Sequence, residues 1–434
     1  MASTPASIEI RAYQVGFGDC CLVSFVYSPS NRRHVLIDFG TTGLPKRGRT
    51  ALKPSQHMAR VALDIQKICN GQLTAVVATH RHRDHISGFA TDNSNGGSGK
   101  IIAACKPKLV LQPWTEDPNA ARNAKTATKD TNRSPKTFIA SLNSMHRLAE
   151  HIWSVARRPP PSMSVAAAKQ LQFLGMDNIK NKSAIENLIA MGQARGAKAV
   201  FARHGDNSGL QALLPGVKVH VLGPPDLSQT DKIRKMRSSN PDQFWQLVGG
   251  AKALGHMQVA DVAESGNGAR RKPPAEARWF IDRLAQMTAD QILQIVRPLD
   301  DQMNNTSLIL LLEVGKKKLL FPGDAQIENW SYALQDAPGC VKTIELLKGV
   351  DLYKVGHHGS RNATPKSLWN NFAKRGSGRM QSVLSTMPGK HGTASKKTEV
   401  PRRTLLDALE SETQLLNTDD FKSDELCESI TVKI

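Results

Sequence analysis

Four residues able to bind a metal, His80, His82, Asp84 and His85, stand at the end of one apolar run, Leu73-Thr-Ala-Val-Val-Ala78. The run is short, rich in β-branched residues and bounded by Gly71 before and a polar cluster after, the pattern of a buried strand. If the backbone stays extended past Ala78, side chains 80, 82 and 84 point one way and His85 falls on the turn beside them. Imidazole nitrogens and a carboxylate converging at the mouth of a buried strand are the donor set that zinc and its neighbours take. A solvated polar loop is the plainer alternative, but the spacing is dense and the whole chain of 434 residues has only 13 histidines. Strands that stop in reactive residues recur further on. Residues 351–360 read Asp-Leu-Tyr-Lys-Val-Gly-His357-His358-Gly-Ser, and residues 316–324 end in Gly323-Asp324.

Strands and helices alternate around these positions. Strands are expected at 8–15, 20–27 and 34–40, with a Gly-x-Gly-Asp turn (Gly16 to Asp19) making a tight hairpin of the first two. Helical spacing of Met58, Val61, Ala62, Ile65 and Ile68 predicts a helix within 51–70 that leads into the metal strand. Further strands are expected at 108–111, 197–203, 217–222, 304–314, 316–324, 351–357 and 381–386, a helix at 400–409, and strand-like segments at 414–417 and 429–434. Gly88, at the start of a short helix after His85, is expected to allow close backbone approach beside the metals. Strand–helix–strand order predicts a layered α/β fold. Two stretches loosen the pattern. Residues 115–197 read as a basic helical insertion (Arg122, Lys125, Lys129, Arg133, Lys136), and residues 226–301 as a second, with a glycine-rich basic loop at 266–272 and a helix at 275–295. Inserts of this length act as lids, binding surfaces or packing over the core.

The formal charge is +20, from 58 basic and 38 acidic residues, which attracts polyanions, nucleic acid first. Aromatic content of 5% argues against a base-stacking platform. Six cysteines show no C-x-x-C and no framework spacing. Reduced thiols in a cytoplasmic protein are expected, with Cys20 and Cys21 facing opposite sides of a strand. No leader pattern is present and no apolar run approaches the ~20 residues of a membrane span. The sequence also offers no convincing nucleophilic triad.

The stretch at 79–85 resembles the H-x-H-x-D-H signature of the metallo-β-lactamase superfamily. More narrowly, the chain resembles the hydrolase domain of ComEC-type DNA-uptake proteins and their stand-alone soluble relatives. Further motifs carry the likeness: Val15-Gly-Phe-Gly-Asp19, the strand ending on Asp38, the V-K-V-H-V-L-G-P-P run at 217–225, the N-x-S strand start (Asn305 to Ser307) with Gly323-Asp324, and His357-His358-Gly359-Ser360. The membrane-embedded part of the uptake proteins has no counterpart here, so a channel is not expected.

The resemblance implies a single four-layer αββα domain over 1–434, carrying the two largely helical insertions. It implies two divalent metals, His80 and His82 on one, Asp84 and His85 on the other, Asp324 bridging them and His357 on the second. His358 would touch a ligand or the substrate, and Asp84 would accept a proton from the attacking hydroxide. Asp19 would line the pocket, with a simple turn aspartate as the alternative. Asp38 would support the metal loop by hydrogen bonding, as metal ligands require oriented partners. In relatives the loop corresponding to 387–395 carries an Asn and then His-Pro. Here the Asn is absent and Gly392 follows His391, so Lys390 and His391 are candidate substrate contacts or an ordinary polar loop. His204 and His220 lie where some superfamily members have one more ligand, but neither has the expected flanking pattern.

Zinc fits the donor set best, with manganese the alternative. The reading is therefore a dinuclear metal-dependent hydrolase, most of all a phosphodiesterase or nuclease acting through a metal-activated hydroxide on nucleic acid or nucleotides. A protein partner and the oligomeric state stay open. The scaffold also hosts lactam, thioester and lactone hydrolysis. A hydrolase of a small ester, thioester or lactone, or a nucleic-acid or partner-binding module with a structural metal, are the alternatives.

Overall fold

The N-terminal half of the computed structural model builds one sheet from a run of strands whose side chains alternate between two apolar environments. The structure describes residues 4–44, 53–92, 97–119, 181–230, 304–360, 364–377, 379–392, 399–422 and 425–434. The expected helix at 275–295, the loop at 266–272 and the basic residues Arg122 to Lys136 lie outside them. Strands β1 (Ser7–Tyr13), β2 (Cys20–Ser28) and β3 (Asn31–Phe39) pair antiparallel in order. Strands β4 (Ala75–Val77), β5 (Leu109–Pro113) and β6 (Lys198–Ala202) continue from β3 in parallel.

Parallel neighbours need a crossover. Helix α1 (Pro54–Ile68) supplies it between β3 and β4, with proline at its first turn, where no backbone donor is needed. After β4 come α2 (Arg83–Ile86) and α3 (Ser98–Ala104), and α4 (Lys182–Gln193) precedes β6. Thus the end of the stretch read as an insertion is the helix that packs beside β5 and β6.

A second sheet has the order β12-β11-β10-β9-β8-β7. Its strands are β7 (Val217–Gly223), β8 (Ile309–Val314), β9 (Lys317–Phe321), β10 (Leu352–Lys354), β11 (Gln381–Leu384) and β12 (Gln414–Asn417). Strands β7, β8 and β9 pair antiparallel, and β9 to β12 run parallel. Strand β13 (Cys427–Lys433) returns to the free edge of β1. Helices α5 (Ile327–Ser331), α6 (Cys340–Lys348), α7 (Lys366–Trp369) and α8 (Arg403–Glu412) accompany the second sheet. The fold is therefore mixed α/β, with two sheets and helices.

Period-two alternation sorts the strand residues into three apolar clusters. Leu22, Leu36, Val76 and Val110 of the first sheet pack with Met58, Val61 and Ile65 of α1, Ile102 of α3 and Leu188 of α4. Their neighbours Val23, Ile37, Val77 and Leu111 face Val219, Leu310, Leu312, Leu319 and Phe321 of the second sheet. Ile309, Leu311, Leu320 and Tyr353 pack with Trp330, Leu347, Leu368 and Leu409. Each fully buried Val, Leu, Ile or Phe contributes roughly 1.5–3 kcal/mol, so the middle cluster is what holds sheet to sheet. Cys20 and Cys21 fall in different clusters, as their adjacency on a strand requires, and none of the six cysteines forms a disulfide.

Three local expectations change. The chain does not stay extended through residue 84: β4 ends at Val77, His82 caps α2, and Asp84 and His85 are presented by a helical turn. The β1–β2 connection is not a tight hairpin turn, because Phe17 leaves it to pair with Gly43. Gly88 makes its close approach to Phe39 rather than to the metal pocket, since a Cβ there would lie 2.5 Å from the Phe39 ring. Among the described residues no helix is long and apolar enough to cross a membrane.

Candidate metal centre

The reactive residues lie at or beside the ends of strands inside the two sheets. Asp19 precedes β2, Asp38 is the second-last residue of β3, His80 to His85 follow β4, Asp324 follows β9, and His357 and His358 follow β10. Two contacts tie the sheets together here. Leu308 N–H donates to the Thr79 carbonyl at 2.9 Å. Gly323, at φ 54°, brings its backbone so close that a Cβ would sit 2.7 Å from Thr79 Cβ, so only glycine fits before Asp324. Asp38, His357 and His358 are three of the five described non-glycine residues with positive φ, at 54°, 44° and 52°. Left-handed backbone costs about 1–2 kcal/mol per residue and concentrates at functional sites.

His85 is the hub, and it is fully buried. Its Nδ1–H donates to Asp38 Oδ2 at 2.8 Å, and Asp19 Oδ2 lies 3.7 Å from the same nitrogen. Its Nε2 is 3.1 Å from Asp324 Oδ1 but without hydrogen-bond geometry, a buried ring nitrogen lacking a hydrogen bond. Asp38 also accepts the Thr79 N–H and O–H, both at 2.7 Å. Asp324 is held from two sides: it accepts the His357 N–H at 2.9 Å, and its own N–H donates to Ser307 Oγ at 3.2 Å. His358 donates from Nδ1 to the Ser385 carbonyl and from Nε2 to Asp84 Oδ2, each at 3.0 Å. His80 Nε2 faces His82 Nδ1 at 3.1 Å and lies 3.9 Å from Asp324 Oδ2.

The charges alternate. Burial opposes protonation of His85, but Asp324 and Asp38 outweigh it and raise the imidazole well above its usual range. Burial works on Asp38 the other way and pushes its carboxyl up, despite His85. Because Asp38 already accepts both Thr79 donors, it has no place for an acidic hydrogen, and the shared proton belongs to His85. Burial likewise opposes charge on Asp324, yet His85 and His357 hold it well below the usual carboxylate range. Asp84 behaves the same way, depressed by the His358 hydrogen bond against the effect of burial, and His358 is raised in return. His80 goes well below its usual value, through burial and then repulsion from His85 and His82. It is a neutral imidazole with a lone pair to offer.

These donors fit a cation. One donor atom each from Asp19, His85, Asp324 and His358, all buried, lies within 4.8 Å of the other three. Donor atoms sit about 2.0–2.2 Å from a zinc ion, so the quartet would contract by up to about an ångström to close on one. His85 commits Nδ1 to Asp38 and leaves Nε2 toward the quartet, the support that metal-binding histidines use; His358 commits Nδ1 to the Ser385 carbonyl and would ligate through Nε2 only by giving up its hydrogen bond to Asp84.

The quartet brings together some of the residues expected from sequence and leaves others beside it. His85 and Asp324 stand in the quartet, but its other members are Asp19 and His358. Asp84 touches it through His358, and Asp38 through His85. The His357 side chain is 27% exposed, with Nε2 4.0 Å from Asp324 Oδ2. His80 and His82 form an adjoining pair, the His80 ring 4.2 Å from that of His85. Lys390 donates to the Thr42 carbonyl at 3.3 Å, and the His391 ring packs 4.4 Å from Phe17, whose other neighbour is His358 at 4.2 Å. Burial pushes His391 down to about 4, so it is neutral at pH 7. His204 hydrogen-bonds the Leu222 carbonyl and His220 the Glu313 carboxylate, and neither belongs to the quartet.

Two residues at the site escaped the sequence reading. Lys354 is buried with its Nζ 2.6 Å from Asp19 Oδ1. Burial disfavours the ammonium, but Asp19 more than compensates and raises it. The signal was a single lysine inside an apolar strand that carries the HHGS motif. Phe17, between two glycines, had no signal beyond its flanks. Compared with known proteins, the chain matches no family model and no curated sequence.

Proposed function

We propose that this chain is a metal-dependent hydrolase of phosphodiester bonds, with the αββα sandwich of the metallo-β-lactamase superfamily and the site pattern of its ComEC-like members. The observation that carries this reading is the buried quartet of Asp19, His85, Asp324 and His358, assembled from the strand ends of two sheets. The three apolar clusters are what a helix–sheet–sheet–helix stack would produce.

Asp19, His85, Asp324 and His358 would hold one cation. His80 and His82, with the second oxygen of Asp324, would hold another, zinc by the donor set or manganese. Bound there, such cations supply Lewis acidity toward a phosphoryl oxygen and make a water acidic enough to attack near neutral pH. The residues of the chain do the rest. Asp38 orients His85, Ser385 orients His358, and Asp84 stands at 3.0 Å from His358 Nε2 as the carboxylate placed to take a proton. Phe17 covers His358 on one side and excludes water. Lys390 and His391 stand on the rim as contacts for an anionic group.

The +20 charge favours a polyanionic substrate over a small neutral ester. The test is cleavage of labelled single- and double-stranded DNA and RNA with Zn²⁺ or Mn²⁺, comparing wild type with Asp84→Ala/His85→Ala. Metal-dependent cutting that salt weakens and the double variant lacks is the expected result. A protein that holds metal but cuts no phosphodiester sinks the substrate assignment and moves the reading to a small ester, thioester or lactone.

A further inference from the structure

Lys354 lies on β10, the third strand of the second sheet, with a hydrogen-bonded neighbour on each side. Alternation along β10 puts Leu352 in the cluster between the sheets and Tyr353 in the cluster behind, so Lys354 shares the inter-sheet face with Leu352. Its ammonium therefore reaches across from the second sheet to a residue of the first. It forms an ion pair with Asp19 Oδ1 at 2.6 Å and donates a hydrogen bond to the carbonyl of Val355 at 3.0 Å. Lys354 as a whole is 6% exposed.

Asp19 does not need a lysine to fix its backbone. Its N–H donates to the Asp84 carbonyl at 2.8 Å and its carbonyl accepts the Gly40 N–H at 3.0 Å. What it needs is a cation. Asp19, Asp38, Asp84 and Asp324 are all buried around one pocket, and removing one partner of a buried ion pair strands the other. Lys354 is the one non-histidine cation among the described residues that forms an ion pair with any of these four carboxylates.

We infer that Lys354 is the resident counter-ion of the metal pocket: it keeps the acidic cluster assembled when metal is absent and, by sharing Asp19, weakens the grip of the loaded site. This rests on the metal-binding reading above. A positive charge beside a cation site raises the free energy of the loaded form and lowers that of the empty one. Taking it away therefore destabilises the empty protein more than the loaded one. By linkage the variant without it binds metal more tightly, by about tenfold for a typical coupling of this kind.

The experiment compares thermal unfolding of wild type and Lys354→Met in chelator and in Zn²⁺, with zinc affinity measured by competition against a chromogenic chelator. Lys354→Met is expected to melt below wild type in chelator, to gain more from zinc than wild type does, and to bind zinc about tenfold more tightly. Equal zinc-induced shifts would mean that Lys354 only packs, and a smaller shift or weaker binding would mean that it presents Asp19 to the metal. Either result overturns the inference. Asp19→Asn/Lys354→Met, which removes both charges, should regain melting in chelator relative to Lys354→Met. If it stays as low, or neither variant folds even with zinc, the role is packing and the inference fails. A wild type that binds no zinc and shows no shift would instead overturn the metal-binding reading itself.

Discussion

Replacing Asp38 by Asn isolates the support that the metal pocket draws from outside the donor quartet. Asp38 is 2% exposed and accepts three hydrogen bonds, from Thr79 N–H, Thr79 O–H and His85 Nδ1–H. Asparagine has the same shape and tolerates the left-handed backbone that Asp38 adopts at φ 54°, so neither a cavity nor strain confuses the result. It has, however, one acceptor oxygen where two are used. The Thr79 hydroxyl can turn away, but the Thr79 N–H and the His85 Nδ1–H cannot. With the amide oxygen on Thr79, the amide NH₂ meets His85 Nδ1–H donor to donor. Losing one hydrogen bond to a charged partner costs about 1.5–3 kcal/mol. The imidazole escapes part of that cost by giving up its Nδ1 proton and keeping the one on Nε2, the atom that would ligate.

Metal affinity should therefore fall about 10–100-fold, as when other outer partners of metal ligands are removed. That range corresponds to about 1.4–2.7 kcal/mol, in agreement with the hydrogen-bond figure. Zinc competition against a chromogenic chelator measures it, with circular dichroism to confirm that the fold is intact. An affinity within about threefold of wild type would refute the assignment of Asp38 as the residue that fixes His85.

Gly88→Ala should lower stability by about 1–3 kcal/mol, because the new methyl has no room against Phe39; a melting temperature equal to wild type would show that the close approach is not real. His204→Ala should leave the bound-metal content unchanged by elemental analysis, since its Nδ1 serves the Leu222 carbonyl, and a loss of metal would make it a ligand. His34 tests the acid limb in chelator. Burial, and then Arg32, push it down to about 4, so between that value and about 6.5 the unfolded chain binds a proton that the folded chain refuses. Stability contributed by neutral His34 is complete above about 6.5 and is lost as pH falls toward 4, at up to about 1.4 kcal/mol per pH unit. His34→Gln should flatten the fall in melting temperature across that window, and an unchanged slope would refute the assignment.

Much of this arrangement was legible because strands announce themselves through alternation and end where polar residues begin. Leu73 to Ala78, the H-x-H-x-D-H stretch and Gly323-Asp324 could be placed at strand ends from local pattern alone. What local pattern could not supply was direction. His357 and His358 are neighbours with the same side chain, and only the positive φ at both, with Ser385 just after β11, decides that His358 is the buried one. Asp84 illustrates a change of period: extension would place it beside His82, whereas a helical turn begins at Arg83 and swings it onto His358. Lys354 and Asp19 are 335 positions apart in sequence, and their 2.6 Å contact is a product of sheet-on-sheet register. No window of sequence contains it.

The same geometry would couple metal binding to folding. Asp19 and His85 come from the first sheet, Asp324 and His358 from the second. A cation held by all four is therefore a bond between the sheets, acting in parallel with the apolar cluster around Val77, Leu310 and Phe321. The unfolded chain has no such quartet, so binding adds to stability by mass action, about 2.7 kcal/mol at a free metal concentration a hundred times Kd. Substitutions that loosen the inter-sheet cluster, far from any ligand, should for this reason weaken metal binding as well as the fold. Substitutions in the cluster that packs α1 onto the first sheet should cost stability while leaving the distance between the two pairs of ligands, and with it the affinity of the folded protein, unchanged.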